Sequence, residues 1–504
     1  MNFANVAMKE TQVKKTENGA IAFNTLNSKL LDFFSTAGAM RPRSIEDIQR
    51  KFELAFNENR EYAMRALFYT RDIRNGGIGE RRTFRACLQW LSDNHPDLVE
   101  KNLHNVIFFG RFDDLYCLFD TRYGRNKEDV INVIAEVLQS DIQNMKERKE
   151  ISLLGKWLPS ANTSSKQTRT YARTIYNGLG ITEKTYRKTL SILRKYLKVT
   201  EKLMSAKQWS EIQYESVPSY AMKNYRNAFK ERDSKRFNEY LAALQIGEKK
   251  VNASTLYPYD LVHQYMNGLN GYGCWSATKK MIDPVIEEQW KALPNYVSGE
   301  NDFIVMADVS GSMYGRPMET SVGLATYFAQ RNKGAYKNLY MTFTDRPHFV
   351  SLAGCTSLRD CVETVMKTDV GYNTNLEAAF NHILDTAVKN RVKANEMPKA
   401  LVVISDMEID RYSPARDQYG RTYDFVGTMK QKFKMHGYEL PKLVMWNVEA
   451  RQDTYLTQGE DVIFVSGQSA AVFKQLCGTL EGKTAYDFMI DTLNAKVYNR
   501  VVCA

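Results

Sequence analysis

The most constraining feature of this chain is Phe303-Ile-Val-Met-Ala307, a five-residue apolar run that leads directly into Asp308-Val-Ser310-Gly311-Ser312. Such a run fits a buried strand. A buried strand that ends in Asp-x-Ser-x-Ser delivers three small oxygen donors to the carboxyl edge of a sheet, where open α/β sheets bind ligands. Carboxylate and hydroxyl oxygens suit a hard cation such as Mg²⁺ or Mn²⁺. Taken alone, the motif is short enough to be an ordinary polar turn. Two later stretches follow the same logic. Tyr372-Asn-Thr374-Asn375-Leu376 opens a helical pattern through Ala378, Ile383, Leu384 and Ala387, which puts the Thr374 hydroxyl near a helix start. Leu401-Val-Val-Ile-Ser405-Asp406 is a second apolar strand that ends in an aspartate. The three segments, read as Asp-x-Ser-x-Ser, Thr and Asp, can converge on one cation.

Around this stretch, candidate strands at Phe303–Ala307, Leu339–Thr344, Leu401–Ile404, Leu443–Trp446 and Val462–Val465 alternate with helical patterns such as Thr320–Gln330 and Asn375–Val388. Alternation of this kind predicts a Rossmann-like, doubly wound sheet with helices on both faces. From roughly residue 300 to residue 500 the pattern resembles the von Willebrand factor A domain and its metal-ion-dependent adhesion site. That resemblance implies that Asp308, Ser310, Ser312, Thr374 and Asp406 are the metal positions. It also implies a Mg²⁺ or Mn²⁺ with an open position that captures a carboxylate from a protein partner.

The 300 residues before it read differently. From Ile21 to about Tyr265 the periodicity is helical, with a capping-box start at Ser44-Ile-Glu-Asp47 and a one-faced stripe at Val130, Val133, Ile134, Val137, Leu138 and Ile142. Further helices are expected over Glu61–Tyr69, Glu80–Leu91, Glu183–Met204 and Ser219–Lys230. Many helices on short loops suggest an α-helical, HEAT-like array. The composition shift near Gly268-Leu-Asn-Gly271 and Leu293-Pro294 marks a junction. The expected division is therefore a flexible arm over 1–20, a helical domain over 21–295 and an α/β domain over 296–504. The last helical stretch, Ala485–Val501, is expected to dock back on the first domain.

Two basic constellations stand out in the helical half. Arg71-Asp-Ile-Arg74-Asn-Gly76-Gly77-Ile-Gly79-Glu80-Arg81-Arg82 joins two helices through three glycines in four residues. It is either a tight turn with local ion pairs or a loop that offers guanidinium forks and backbone N–H groups to phosphates, with Arg71, Arg74 and Arg81 as contacts. Between Ile151 and Thr200, Lys156, Lys166, Arg169, Arg173, Lys184, Arg187, Lys188, Arg194, Lys195 and Lys198 face Glu183 as the only acid. In the helix after Glu183, Tyr186, Leu190, Leu193 and Leu197 should face a core. Arg187, Arg194 and Lys198 would form one basic stripe beside it, and Lys184, Lys188 and Lys195 a second. Solvated helix faces normally mix signs, and this one does not, which suits a phosphate backbone. Tyr171, Tyr176, Tyr186 and Tyr196 lie among the charges, to stack on unpaired bases or to pack.

The Arg71–Arg81 motif, Lys156-Trp157-Leu158-Pro159, and Leu179-Gly180 through Tyr186-Arg187-Lys188 resemble an uncharacterised bacterial, phage and giant-virus family related to the TROVE module of Ro ribonucleoproteins. In Ro proteins a ring of helical repeats precedes a von Willebrand A domain, and the order here is the same. The resemblance implies a non-enzymatic RNA-binding protein that holds small structured or misfolded RNA on the basic helices and recruits a partner through the metal. A protein-interaction scaffold or assembly factor is the alternative, and a metal-dependent nuclease ranks below it. The six histidines show no catalytic spacing, and Glu408 and Asp410 read as solvated residues at the sheet edge. A net charge of +11 permits RNA, anionic membrane or acidic protein partners. No apolar run approaches a membrane span and the first twenty residues lack a signal-peptide core, so no membrane partner is expected. The seven scattered cysteines, without Cys-x-x-Cys, suit a reducing cytoplasm.

Overall fold

Phe303–Ala307 is the third of eight strands among the described residues, and every residue in it is buried. In the computed structural model, which describes residues 12–16, 21–266, 281–297, 303–344, 346–367, 375–409, 425–457, 462–476 and 483–504, it forms the centre of a six-stranded sheet. The strands are β1 (Val13–Lys15), β2 (Ile21–Phe23), β3 (Phe303–Ala307), β4 (Leu339–Thr342), β5 (Phe349–Ser351), β6 (Ala400–Ser405), β7 (Lys442–Asn447) and β8 (Val462–Ser466). The sheet order is β5-β4-β3-β6-β7-β8, parallel throughout except for β5, which returns antiparallel beside β4. All five strands expected in this half are present. β5 was not expected, because three residues of which none is buried leave no apolar run to read.

The strands are apolar because helices cover them. Arg316–Arg331 packs against β3, β4 and β6, and its Ser321 hydroxyl donates to the Ile404 carbonyl at 3.3 Å. The same helix lies against Pro258–Val262 at Gly323, where a Cβ would sit 2.9 Å from the Tyr259 nitrogen, so only glycine permits this approach.

The chain divides into two compact units that do not follow a linear split. The sheet unit comprises Met1–Ala63, Gly76–Glu80 and Ala253–Ala495; the helical unit comprises Met64–Asn75, Arg81–Asn252 and Lys496–Ala504. Contacts of the early chain group part of it with the sheet rather than with the helices. The helix Lys29–Thr36 packs on β8, and the Gly38 N–H donates to the Ser466 hydroxyl at 3.0 Å. β2 is bridged to Tyr455 through the Phe23 N–H, which donates to the Tyr455 carbonyl at 2.7 Å. Within the expected arm, residues 13–15 are not loose but pair antiparallel with β2, and the Thr16 hydroxyl donates to the Ile409 carbonyl at 2.6 Å. Residues 1–11 and 17–20 lie outside the described residues.

The helical unit has no strand among its described residues, and helices adjacent in sequence pack on each other, as Arg81–Asn94 does on Pro96–Phe109 and Ser219–Arg232 on Ser234–Gln245. The expected helix Glu183–Met204 is broken in two, Glu183–Tyr196 and Thr200–Ser205. Lys198 adopts a left-handed φ of 48°, and the Val199 N–H returns to the Arg194 carbonyl at 3.2 Å, a Schellman-type ending made without glycine.

The centre of the helical unit is ionic. Asp114 is fully buried and accepts from Arg71 Nε at 2.7 Å, from Arg85 Nε at 2.8 Å and from the Arg111 backbone N–H at 2.9 Å. Burial by itself would raise this carboxyl; the charges of Arg71 and Arg85 outweigh it and hold it below the usual range. A depressed carboxylate stabilises the fold above its unfolded value of about 3.9, and that contribution is lost as pH falls through the lower folded value. Asp114→Asn should destabilise the helical unit by about 3–5 kcal/mol at neutral pH, since it leaves two guanidiniums beside a neutral group. Amide exchange over 81–119 followed from neutral pH into acid tests this: the wild-type advantage over Asp114→Asn should persist to about pH 4 and then shrink.

Candidate functional site

β3 and β6 lie side by side in parallel, with Ala307 opposite Ile404. From β3 the chain goes next to β4 on one side; from β6 it goes to β7 on the other. This is the topological switch point of a doubly wound sheet, the place where strand ends diverge and leave a crevice. Asp308 and Asp406 are the residues that follow these two strands, and they are 1% and 2% exposed.

The local chain holds both carboxylates. One oxygen of Asp308 accepts from the Ser310 N–H at 2.9 Å and the other from the Ser405 hydroxyl at 2.6 Å. Ser310 and Ser312 place their hydroxyls 3.1 Å apart. Asp406 Oδ1 accepts from the Glu408 N–H at 3.1 Å. Asp406 Oδ2 is buried without a hydrogen-bond donor within normal reach among the described residues; the Ser312 side chain lies close enough to lower this carboxyl, and Arg451 Nη2 stands at 3.7 Å. That guanidinium is itself turned to the Ser312 carbonyl and to Glu449. Burial, and next the charge of Asp406, pushes the Asp308 carboxyl well above the usual range; burial also raises Asp406.

Two buried carboxylates, two hydroxyls and one carboxylate oxygen without a donor form an oxygen-only set that fits a hard divalent cation. Among the described residues no three His, Cys, Asp or Glu side chains cluster in a way that would hold a metal, so hydroxyls are essential to any such sphere. Thr374 lies outside the described residues. Its neighbour Asn375 is the N-cap of the helix Leu376–Asn390, as the pattern predicted, and donates its N–H to the Thr344 carbonyl at 3.3 Å, just beyond β4. Glu408 corrects the reading of a solvated residue: it is 4% exposed and accepts from the Thr454 hydroxyl at 3.2 Å. Asp410 is outside the described residues. Ser405, Glu408 and Arg451 were not picked out for the site. Ser405 was visible as the residue before the strand-end aspartate, whereas Arg451 has no local signal and is found only through the β6–β7 adjacency.

The basic residues of the helical unit sort into inward and outward groups. Arg71 is 3% exposed and bound to Asp114, so the loop reading in which it meets phosphate is corrected by its burial. Arg74 donates to the carbonyls of Phe108 at 2.7 Å and Gly110 at 2.6 Å. Arg81 is exposed, 3.8 Å from Asp113. Arg194 leaves its expected outer stripe: its guanidinium donates to the carbonyls of Gly155 and Leu158 at 2.9 and 2.7 Å and to the Ser160 hydroxyl at 2.9 Å. Arg169 is exposed but folds onto the carbonyls of Thr163 and Ser164. Arg173, Lys184, Arg187, Lys188, Lys195 and Lys198 are exposed. Of the tyrosines, Tyr186 is core and donates to the Pro159 carbonyl, Tyr171 binds Asp120, Tyr196 binds the Lys149 carbonyl, and Tyr176 packs 5.9 Å from Tyr186. Lys156, Lys184, Arg187, Lys188 and Arg194 line one cavity of about 970 Å³.

Fold and geometry thus define a two-unit protein, one unit helical and basic, the other a mostly parallel sheet with a carboxylate-lined switch point. The chain belongs to a family described as a domain of unknown function, DUF2828, matched over residues 16–113 and 120–300. Residues 302–492 match a second domain of unknown function, DUF7788. An uncharacterized protein of Acanthamoeba polyphaga mimivirus is similar, with 29% identity over 500 residues, 91% of this chain and 83% of that protein. Neither matching family is the TROVE module or the von Willebrand A domain.

The carboxylate pair yields a two-sided expectation for Asp308→Asn. In chelator its unfolding midpoint should equal or exceed that of wild type, because one of two neighbouring buried charges is gone. Millimolar Mg²⁺ should raise the wild-type midpoint, as any ligand of the native state does, and leave the variant unmoved. Equal Mg²⁺ shifts in both proteins would show that the pair does not hold the ion.

Proposed function

We propose that this chain is a non-enzymatic RNA-binding protein of Ro-like architecture. The helical unit holds structured or misfolded RNA. The sheet unit acts as a von Willebrand A-type domain, in which Asp308, Ser310, Ser312 and Asp406, together with Thr374, hold Mg²⁺ or Mn²⁺. The bound ion would supply a Lewis-acidic position for a carboxylate of a protein partner. Asp308 and Asp406 provide the negative charge that retains the ion, the Ser310 and Ser312 hydroxyls add neutral donors, and Ser405 orients Asp308 through its 2.6 Å hydrogen bond.

The observation that carries the RNA reading is the helix Glu183–Tyr196. Tyr186, Leu190 and Leu193 are buried, while Lys184, Arg187, Lys188 and Lys195 are exposed. Between Ile151 and Thr200 ten basic residues face a single acid. A protein surface of one sign repels itself and gains most from a polyanion, whose condensed counterions are released on binding. The same arithmetic favours a polyphosphate over an acidic protein, whose charges are sparser.

The test is binding of the full chain to labelled single-stranded and hairpin RNA across a salt series. Affinity should fall steeply with salt, and Lys195→Gln combined with Lys198→Gln should flatten the slope by up to about 1.4, from roughly 0.7 per lost contact on a single strand. The RNA should remain uncut in Mg²⁺ or Mn²⁺. Cleavage that disappears in Asp406→Ala would put the nuclease reading first; absence of RNA binding at low salt would put the scaffold reading first.

A further inference from the structure

Arg451 comes to the switch point from the loop that follows β7, within the sheet unit. Its Nη2 donates to the Ser312 carbonyl, inside the Asp-x-Ser-x-Ser turn, and to Glu449 at 3.0 Å. Its Nε donates to Glu449 at 3.2 Å. The same Nη2 stands 3.7 Å from Asp406 Oδ2, the buried oxygen that has no hydrogen-bond donor within normal reach among the described residues. At that distance the guanidinium offers Asp406 charge without a hydrogen bond. Burial raises the Asp406 carboxyl, and the Glu408 N–H, the Ser312 side chain and then the Arg451 charge act against it.

The loop that carries Arg451 is pinned on both flanks. The Ala450 N–H donates to the Ala39 carbonyl at 2.9 Å, and the Ala450 carbonyl accepts from Arg43 Nε at 2.8 Å. Asp453 takes Arg43 Nη2 at 2.7 Å and also the Lys51 ammonium. The Thr454 hydroxyl donates to Glu408 at 3.2 Å. With its backbone held in this way, Arg451 withdraws from Asp406 by rotating its own side chain rather than by moving the loop. That side chain is 31% exposed, so it has room to turn, and Glu449 beside it is an anion on which it pivots.

A hard divalent cation binds carboxylate oxygens directly, at about 2.0–2.6 Å. Such an ion on Asp406 and a guanidinium beside the same oxygen are like charges, and each disfavours the other. We propose that Arg451 is a resident counter-ion of the carboxylate pair, displaced toward Glu449 when a divalent cation binds Asp406. The inference rests on the metal reading of this site and adds its regulation: Arg451 sets the ion concentration at which the site fills. Until then it offsets part of the buried charge and holds the Ser312 carbonyl, and its departure releases both. Coupling between two bound groups is reciprocal. An acidic group of a partner that captures the released guanidinium therefore favours entry of the ion, so ion and partner bind cooperatively.

The test titrates the full chain with Mn²⁺ and follows free Mn²⁺ by electron paramagnetic resonance, so it needs neither partner nor activity. Arg451→Gln should tighten Mn²⁺ binding by about tenfold or more. In chelator its unfolding midpoint should fall below that of wild type, and Mn²⁺ should raise it by more than it raises the wild type. Arg451→Lys keeps a charge but loses the planar fork, and its affinity should lie between the two; it carries the test if the glutamine variant does not fold in chelator. The tightening should survive about 1 M KCl, where the Debye length is about 3 Å. Mn²⁺ binding that is equal or weaker in both variants overturns the displacement and leaves the metal site standing. Tightening that disappears in high salt also overturns it, since a surface charge acting through solvent behaves in that way. Wild-type Mn²⁺ binding that Asp406→Asn leaves unaltered overturns the metal reading and this inference with it. So does a complete lack of Mn²⁺ binding in wild type and both Arg451 variants.

Discussion

Two carboxylates buried side by side constrain the sheet unit more than any other contact. Asp308 and Asp406 follow two adjacent parallel strands, and the register that sets Ala307 opposite Ile404 places both at the same edge. A buried charge costs several kcal/mol unless it is paired, so the surroundings supply what donors they can: the Ser310 N–H, the Ser405 hydroxyl and the Glu408 N–H. Among the described residues they stop short of a full set, since Asp406 Oδ2 has no donor within normal hydrogen-bond reach and Arg451 approaches only to 3.7 Å. Sheet order, strand length and the helix Arg316–Arg331 behind β3 and β6 all serve to hold this incomplete arrangement in one geometry.

The helical unit shows what a completed arrangement looks like. Asp114 is as deeply buried, but Arg71 and Arg85 both reach it, and a backbone N–H adds a third donor. Asp113 beside it takes Arg85 and Arg111. No cation is missing there, and the network reads as structural. The contrast between a satisfied carboxylate and an unsatisfied pair is physical ground for looking for function at the switch point.

What could be read from the sequence was whatever is local. The five long strands, the Ser44 cap and the Asn375 helix start are each written in a few consecutive residues, and each is present. The switch-point aspartates were legible because the strands that deliver them are apolar without interruption. Partners remote in sequence were not. Nothing near Arg71 announces Asp114, 43 residues away, so the sequence offered only a local ion pair or a phosphate as its partner. Arg194 sits in a basic run and yet turns inward to two carbonyls and a hydroxyl 34 to 39 residues earlier. Helix periodicity continued past Lys198, because a left-handed lysine is not a residue type that announces a break. The early helices look like the start of a helical domain, and only tertiary contact reveals that Lys29–Thr36 belongs with β8.

The division of the chain into interleaved units has a consequence for how it is made. Residues 496–504 belong to the helical unit: Tyr498 stacks 5.4 Å from Phe109 and donates to Asp72 at 3.0 Å, and Asn102 and Asn105 bind the backbone of Val502 and Arg500. A ribosome delivers that segment after the whole of Ala253–Ala495. The helical core therefore waits, through the synthesis of more than two hundred residues, for a ring that fills its last gap. Vectorial folding in amino-to-carboxyl order cannot finish the first-made half first, so the nascent helices spend that interval with Phe109 uncovered. Chaperone demand during translation should concentrate on the amino-terminal half of this chain.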